Sequence, residues 1–189
     1  MGFWSSMMGR SKPAQADLDA LFAVPQAALT LQAGGGFLPT GGGSVCYRAP
    51  EGAAFGTTQS DVVELLDADS GPKVERSEDS YGFTWLFCQQ SPDDLSGLVT
   101  DLHAINTSLQ DNGFGTALLC SLVNFAGPDG QPLAMVYLYK QGTFYPFAPR
   151  GANNRDNATE LQIRGLVEND VPLEKDLQRW LGVWGAPGL

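Results

Sequence analysis

Residues 91–147 constrain the fold most. Ser91-Pro92-Asp93-Asp94 sets a capping hydroxyl, a first-turn proline and two carboxylates ahead of Leu95, Leu98, Val99, Leu102, Ile105 and Leu109. That order suits a helix N-terminus, where a side chain caps free N–H groups and negative charge meets the positive end of the dipole. The apolar residues recur at intervals of three and four, which draws one stripe along one helical face, and Asn112-Gly113 ends it. Three strand-like segments follow, Leu118–Phe125, Leu133–Lys140 and Thr143–Phe147, joined by Gly127-Pro-Asp-Gly130 and Gln141-Gly142. Connections this short allow only antiparallel pairing, because a parallel crossover needs a dozen or more residues. A helix with one apolar face beside a C-terminal β-meander predicts the α+β class, with an antiparallel sheet packed by helices. Pro146 cannot donate to a ladder, so the third strand is expected at an edge.

The rest of the chain reads less sharply. Asp17–Leu31 opens helically, with Leu18, Leu21 and Phe22 on one side and a second piece starting near Pro25. The triplets Gly34–Gly36 and Gly41–Gly43 read as loop. Ser44–Arg48 is a short strand, and Thr58–Asp67 a helix with Val62, Leu65 and Leu66 inward. Lys73–Glu78 and Gly82–Gln90 are strands, the second with Phe83, Trp85 and Phe87 on one face. Asn157-Ala-Thr-Glu160 resembles a capping box that opens a helix to about Val167. Pro172 opens a last short helix near Trp180, and Trp184 in the tail docks on the body. No repeat or linker divides residues 13–189, so they are expected to form one domain behind an N-terminal segment, residues 1–12. A chaperone-like sheet around one long helix is the second architecture that fits.

Charge narrows the function. The 189-residue chain carries a formal net charge of −10, which argues against a duplex nucleic-acid binder, since phosphates demand basic neutralisation. From Asp61 to Asp111 stand eleven acids against Lys73 and Arg76, so this window holds −9 of the −10. Such a stretch is either a solvated surface or, gathered on one face, a site for a basic partner. Cys46, Cys88 and Cys120 are far apart, an odd and sparse set that suits a reducing compartment. No apolar run is long enough to span a membrane, and Met1–Lys12 lacks the order of a secretory signal. Phe3, Trp4, Met7 and Met8 lie at helical spacing before Arg10 and Lys12, the pattern of an interfacial segment or of a helix packed on the body. The expected location is cytoplasmic; the interfacial reading of this segment would add peripheral membrane contact, whereas a frayed or packed terminus would not.

Motifs for chemistry are incomplete. Gly36 and Gly41 have phosphate-loop spacing, but Gly42 stands where a lysine is required. Asp67-Ala-Asp69-Ser-Gly71 begins like a calcium loop, yet Pro72 occupies the glycine position. His103 is the single histidine, and no set of Cys and His has zinc spacing, so neither metal nor cofactor is expected. A Cys120–His103 nucleophile pair would need the fold to join them. Tyr137, Tyr139, Phe144, Tyr145 and Phe147 either fill the sheet core or line a ligand groove.

Several segments share a pattern: Lys12–Ala23, Gly43-Ser-Val-Cys-Tyr-Arg48, Asp79-Ser-Tyr-Gly-Phe-Thr-Trp85, Asp93–Ala104, Tyr137–Pro149 and the ending Trp184-Gly-Ala-Pro-Gly-Leu189. Together they resemble the actinobacterial PspA-associated protein PspAB family along nearly the whole chain. The resemblance implies a bacterial protein of phage-shock-type envelope stress, some of whose relatives are encoded near an HtpX-like membrane protease. It carries no catalytic motif. The expected function is therefore a non-catalytic accessory or adaptor protein acting by protein contact, with a PspA-like coiled coil or the membrane protease as partner. Contact residues are expected among Phe3, Trp4, Met7 and Met8, or Tyr137, Tyr139 and Tyr145. The alternatives are a small-ligand module on the aromatic meander and an enzyme built around His103 and Cys120.

Overall fold

A computed structural model describes residues 16–68, 71–151 and 153–189. Phe3, Trp4, Met7 and Met8 lie outside them. The helices are α1 (Val24–Gly35), α2 (Ala53–Leu66), α3 (Leu95–Leu109) and α4 (Asn157–Val167). The strands are β1 (Leu38–Tyr47), β2 (Glu75–Glu78), β3 (Thr84–Gln89), β4 (Leu118–Ala126), β5 (Pro132–Leu138) and β6 (Thr143–Phe147). They form one antiparallel sheet in the order β2-β3-β1-β4-β5-β6, so the fold is α+β.

The helix stripe behaves as its spacing requires. Leu95, Leu98, Val99, Leu102, Ile105 and Leu109 are all buried, on the face that α3 turns to the sheet. The cap is Asp94, whose Oδ1 accepts from Gly97 N at 2.9 Å; Ser91 lies one turn too early. β4, β5 and β6 form the meander, with β6 at an edge as Pro146 demands. That edge is partly closed: Phe144 N donates to Pro172 O, and Glu174 N to Phe144 O, both at 2.7 Å. Residues 172–174 therefore run alongside β6 instead of opening a helix, and only Leu177–Arg179 coil, as a single 3-10 turn.

The second glycine triplet belongs to β1, not to a loop. A Cβ on Gly43 would lie 3.1 Å from Leu102 and 3.3 Å from Leu98, so the glycine lets α3 settle close onto the central strand. Gly41, at φ 80°, sits beside a register shift between Pro39 and Gly43, and a Cβ there would strike Gln90 O at 2.2 Å. The first triplet closes α1, with Gly36 left-handed at its C-terminus.

Side-chain alternation gives the sheet two unlike faces. The four helices cover one, over a core that includes Leu31, Tyr47, Phe55, Leu102, Phe125, Tyr137, Phe144 and Ile163. The other carries Cys46, Trp85, Cys120, Leu122, Val136, Tyr145 and Phe147, and its cover is the C-terminal segment through Trp180, Trp184 and Ala186. Two smaller expectations change. Leu65 points outward from α2, 65% exposed, and Phe22 leaves the core to meet the His103 ring at 4.9 Å.

Candidate functional site

The order of the sheet builds a pocket. β1 pairs with β3 and β4, and β4 with β5, so Trp85, Cys46, Cys120 and Leu138 stand side by side across four strands. This row floors a cavity of about 420 Å³ on the helix-free face. Tyr81, Phe83, Leu119 and Tyr145 add to its lining, and Leu181, Gly182, Val183 and Trp184 of the C-terminal segment complete it. The roof is fastened at three places. Tyr145 Oη donates to Leu181 O at 2.8 Å, Trp180 Nε1 to Glu174 O at 3.1 Å, and Asn124 Nδ2 to Pro187 O at 3.0 Å. Trp180 stacks on Tyr145 at 5.8 Å, and Trp184 meets Phe147 edge-on at 4.9 Å, so the tail docks as expected.

The floor is chemically quiet. Cys46 and Cys120 face each other across β1 and β4 as free thiols. The hydrogen bond between them, reinforced by burial, holds Cys46 protonated well above the ordinary thiol range. A protonated thiol is a poor nucleophile. Burial likewise pushes Tyr145 above the ordinary phenol range. Cys88, on the helix side, is pushed up by burial to about 12.

Asp79 orders one wall. Its Oδ2 accepts from Trp85 Nε1 at 2.9 Å, and its Oδ1 from Tyr81 N at 2.9 Å and Phe83 N at 3.0 Å. Burial raises its carboxyl, but the bonds from Trp85, Phe83 and Tyr81 together outweigh that and leave it below its usual value. A group depressed in the folded state stabilises fully above its unfolded value and loses that contribution as pH falls through the folded one. An acid titration followed by tryptophan fluorescence should therefore show a step below about pH 4. Asp79→Asn should lack that step; an unchanged profile would show that the carboxylate does not hold the indole.

The residues singled out in sequence are distributed unevenly. Tyr145 lines the pocket, whereas Tyr137 lies under the helices, donating to Asp17 O at 2.7 Å, and Tyr139 donates to Gln110 Oε1 at 2.6 Å. Tyr137 and Tyr139 thus share the helix-covered face, and Tyr145 stands on the other. His103 sits on α3, 3.3 Å from Asp19, while Cys120 faces the opposite side of the sheet, so the fold keeps them apart. Among the described residues no group of three or more Cys, His, Asp or Glu is arranged to hold a metal. The acids are spread over several elements. Asp93 and Asp94 precede α3 and Asp111 follows it, roughly 25 Å apart along a helix of that length. Asp61 and Glu64 instead lie on α2, which a shallow cleft lined by Gln59, Glu64, Asp67 and Arg76 joins to β2. β2 adds Glu75 and Glu78, both exposed, on the unpaired outer edge of the sheet. No described helix is long and apolar enough to cross a membrane.

The segments that carried the resemblance include β1, the Asp79–Trp85 wall, α3 and the Trp184 roof, all parts of one frame. The family model described as PspA associated protein B matches residues 1–188. The chain belongs to that family. Its name links PspAB proteins to PspA. Neither a curated protein nor a solved structure matches the chain. The pocket gave no signal in the sequence, because its floor residues come from four strands, one each.

Proposed function

We propose that this PspAB protein is a non-catalytic accessory protein of a phage-shock-type envelope-stress response, acting by contact with a protein partner. The observation that carries the reading is the family match over residues 1–188. A PspA-type coiled coil is the first partner, and an HtpX-like membrane protease the second. The reading places the protein in the bacterial cytoplasm, at or near the inner membrane face. Separation of His103 from Cys120 by the sheet, and the protonated Cys46 thiol, favour binding over catalysis.

The contact surface proposed is the α2–β2 corner. It combines an open strand edge, the carboxylates of Asp61, Glu64, Glu75 and Glu78, and the exposed Leu65 among them. A basic surface with an apolar contact complements it. The test is cross-linked recovery from native cells, read by mass spectrometry, with the full chain and with E64K/E75K/E78K. The wild type should recover a PspA-type protein or the membrane protease, and the triple variant should lose it by tenfold or more. A wild-type preparation that recovers neither overturns the reading; an undiminished triple variant moves the contact off this corner.

A further inference from the structure

We infer that the pocket over Trp85, Cys46, Cys120 and Leu138 binds a single-chain amphiphile with an anionic head, its tail along the floor and its head on Lys140. The inference stands whether or not a PspA-type partner binds. The lining gives the tail. The pocket reaches from the start of β3 to the β5–β6 turn, about 420 Å³ in all. An apolar-walled cavity of that volume suits a hydrocarbon tail. Its walls are Phe83, Trp85, Leu119, Leu138, Tyr145 and Val183, and the protonated Cys46 thiol on the floor adds no charge. Tyr81 and Leu181, 64% and 63% exposed, extend the apolar surface to its mouth.

Charge gives the head. Lys140 at the β5–β6 end is exposed and has no ion-pair or hydrogen-bond partner among the described residues. Gln141 follows it in the chain, and Gln178 adds a second amide to the lining. The other cation, Arg179, is occupied by Glu174 at 3.6 Å and Asp176 at 3.8 Å. Asp79 is the one carboxylate in the lining, and its oxygens already accept three hydrogen bonds. It also follows β2, four strand spacings from β5 and Lys140, roughly 19 Å, beyond the screening length at physiological salt. An anion at Lys140 therefore meets little opposition. A carboxylate and a phosphate monoester share this chemistry.

The test is calorimetric titration of the full chain with alkanoates and alkyl phosphates of eight to twelve carbons. Decanol and decyltrimethylammonium serve as uncharged and cationic controls. Both anionic series should bind, each added methylene tightening the dissociation constant by roughly fourfold. Lys140→Glu should weaken the anions by tenfold or more and leave decanol unchanged. Val183→Trp, which fills the pocket from a half-buried coil position, should abolish all binding while the melting temperature is kept. The tighter of the two anionic series identifies the head group. No binding of either series, or equal binding of the cationic control, overturns the inference.

Discussion

Replacing Glu160 with alanine is expected to destabilise the fold by about 3–5 kcal/mol, a loss on the order of 10 °C in Tm for a chain of this size. The reason is what remains behind. Glu160 is 2% exposed, and its Oε1 accepts from Arg155 Nε and from Ala148 N, both at 2.9 Å. Arg155 also lies over the Phe147 ring at 5.0 Å and donates from Nη1 to Trp180 O. The pair therefore wraps the β6 edge and ties α4 to the cover of the opposite face. Without the carboxylate, a largely buried guanidinium loses its counter-charge, and the Ala148 N–H loses its acceptor. Equilibrium urea unfolding checks this, the midpoint falling with the m-value unchanged. The double variant E160L/R155M should recover most of the loss, since it leaves no charge unpaired. A single variant within 1 kcal/mol of wild type would refute this account.

That residue also shows where the sequence misleads. Glu160 stands third after Asn157, the spacing of a capping box, yet the cap is Asp156, whose Oδ1 accepts from Thr159 N at 3.1 Å. The carboxylate that the motif would turn back on its own helix reaches the β6 edge instead. Ser91 and Asp94 repeat the lesson: several residues in a row could cap, and packing chooses among them. Legible features were local. The α3 stripe, the two turns of the meander and the placement of Phe83 and Trp85 on one face each depend on neighbours a few residues away. The glycine-rich strand was not legible, because Gly43 is set by the approach of Leu98 and Leu102 from a helix some fifty residues on. The split of the tyrosines follows from register. Tyr145 pairs with Val136, so it shares that residue's face and opposes Tyr137. The pocket follows from strand order, since β3, β1 and β4 are neighbours in space but not in sequence.

Strand order alone leaves the floor an open sheet; the C-terminal segment makes it a pocket. Trp180→Ala should therefore do two things at once. Trp180 is 7% exposed, stacked on Tyr145, with Arg164 6.0 Å from its ring centroid. Truncating a buried tryptophan costs about 3–5 kcal/mol through lost burial and the cavity left behind. The second effect is local. Trp180 Nε1 is one of the three fastenings of the roof, and its loss frees Leu181–Trp184 to lift from the row of Trp85, Cys46, Cys120 and Leu138. Alkylation of Cys46 and Cys120 by a small thiol reagent should then accelerate at denaturant concentrations where the protein stays folded. Cys88, buried on the helix side, serves as the internal control and should not change. Leu181→Ala supplies the contrast. Its side chain is 63% exposed and its carbonyl still accepts from Tyr145, so stability should stay within about 0.5 kcal/mol. If the three thiols accelerate together, the tail is stabilising the whole sheet. If only Cys46 and Cys120 respond, it is a separable roof, and the exposure of this face depends on how that roof is held.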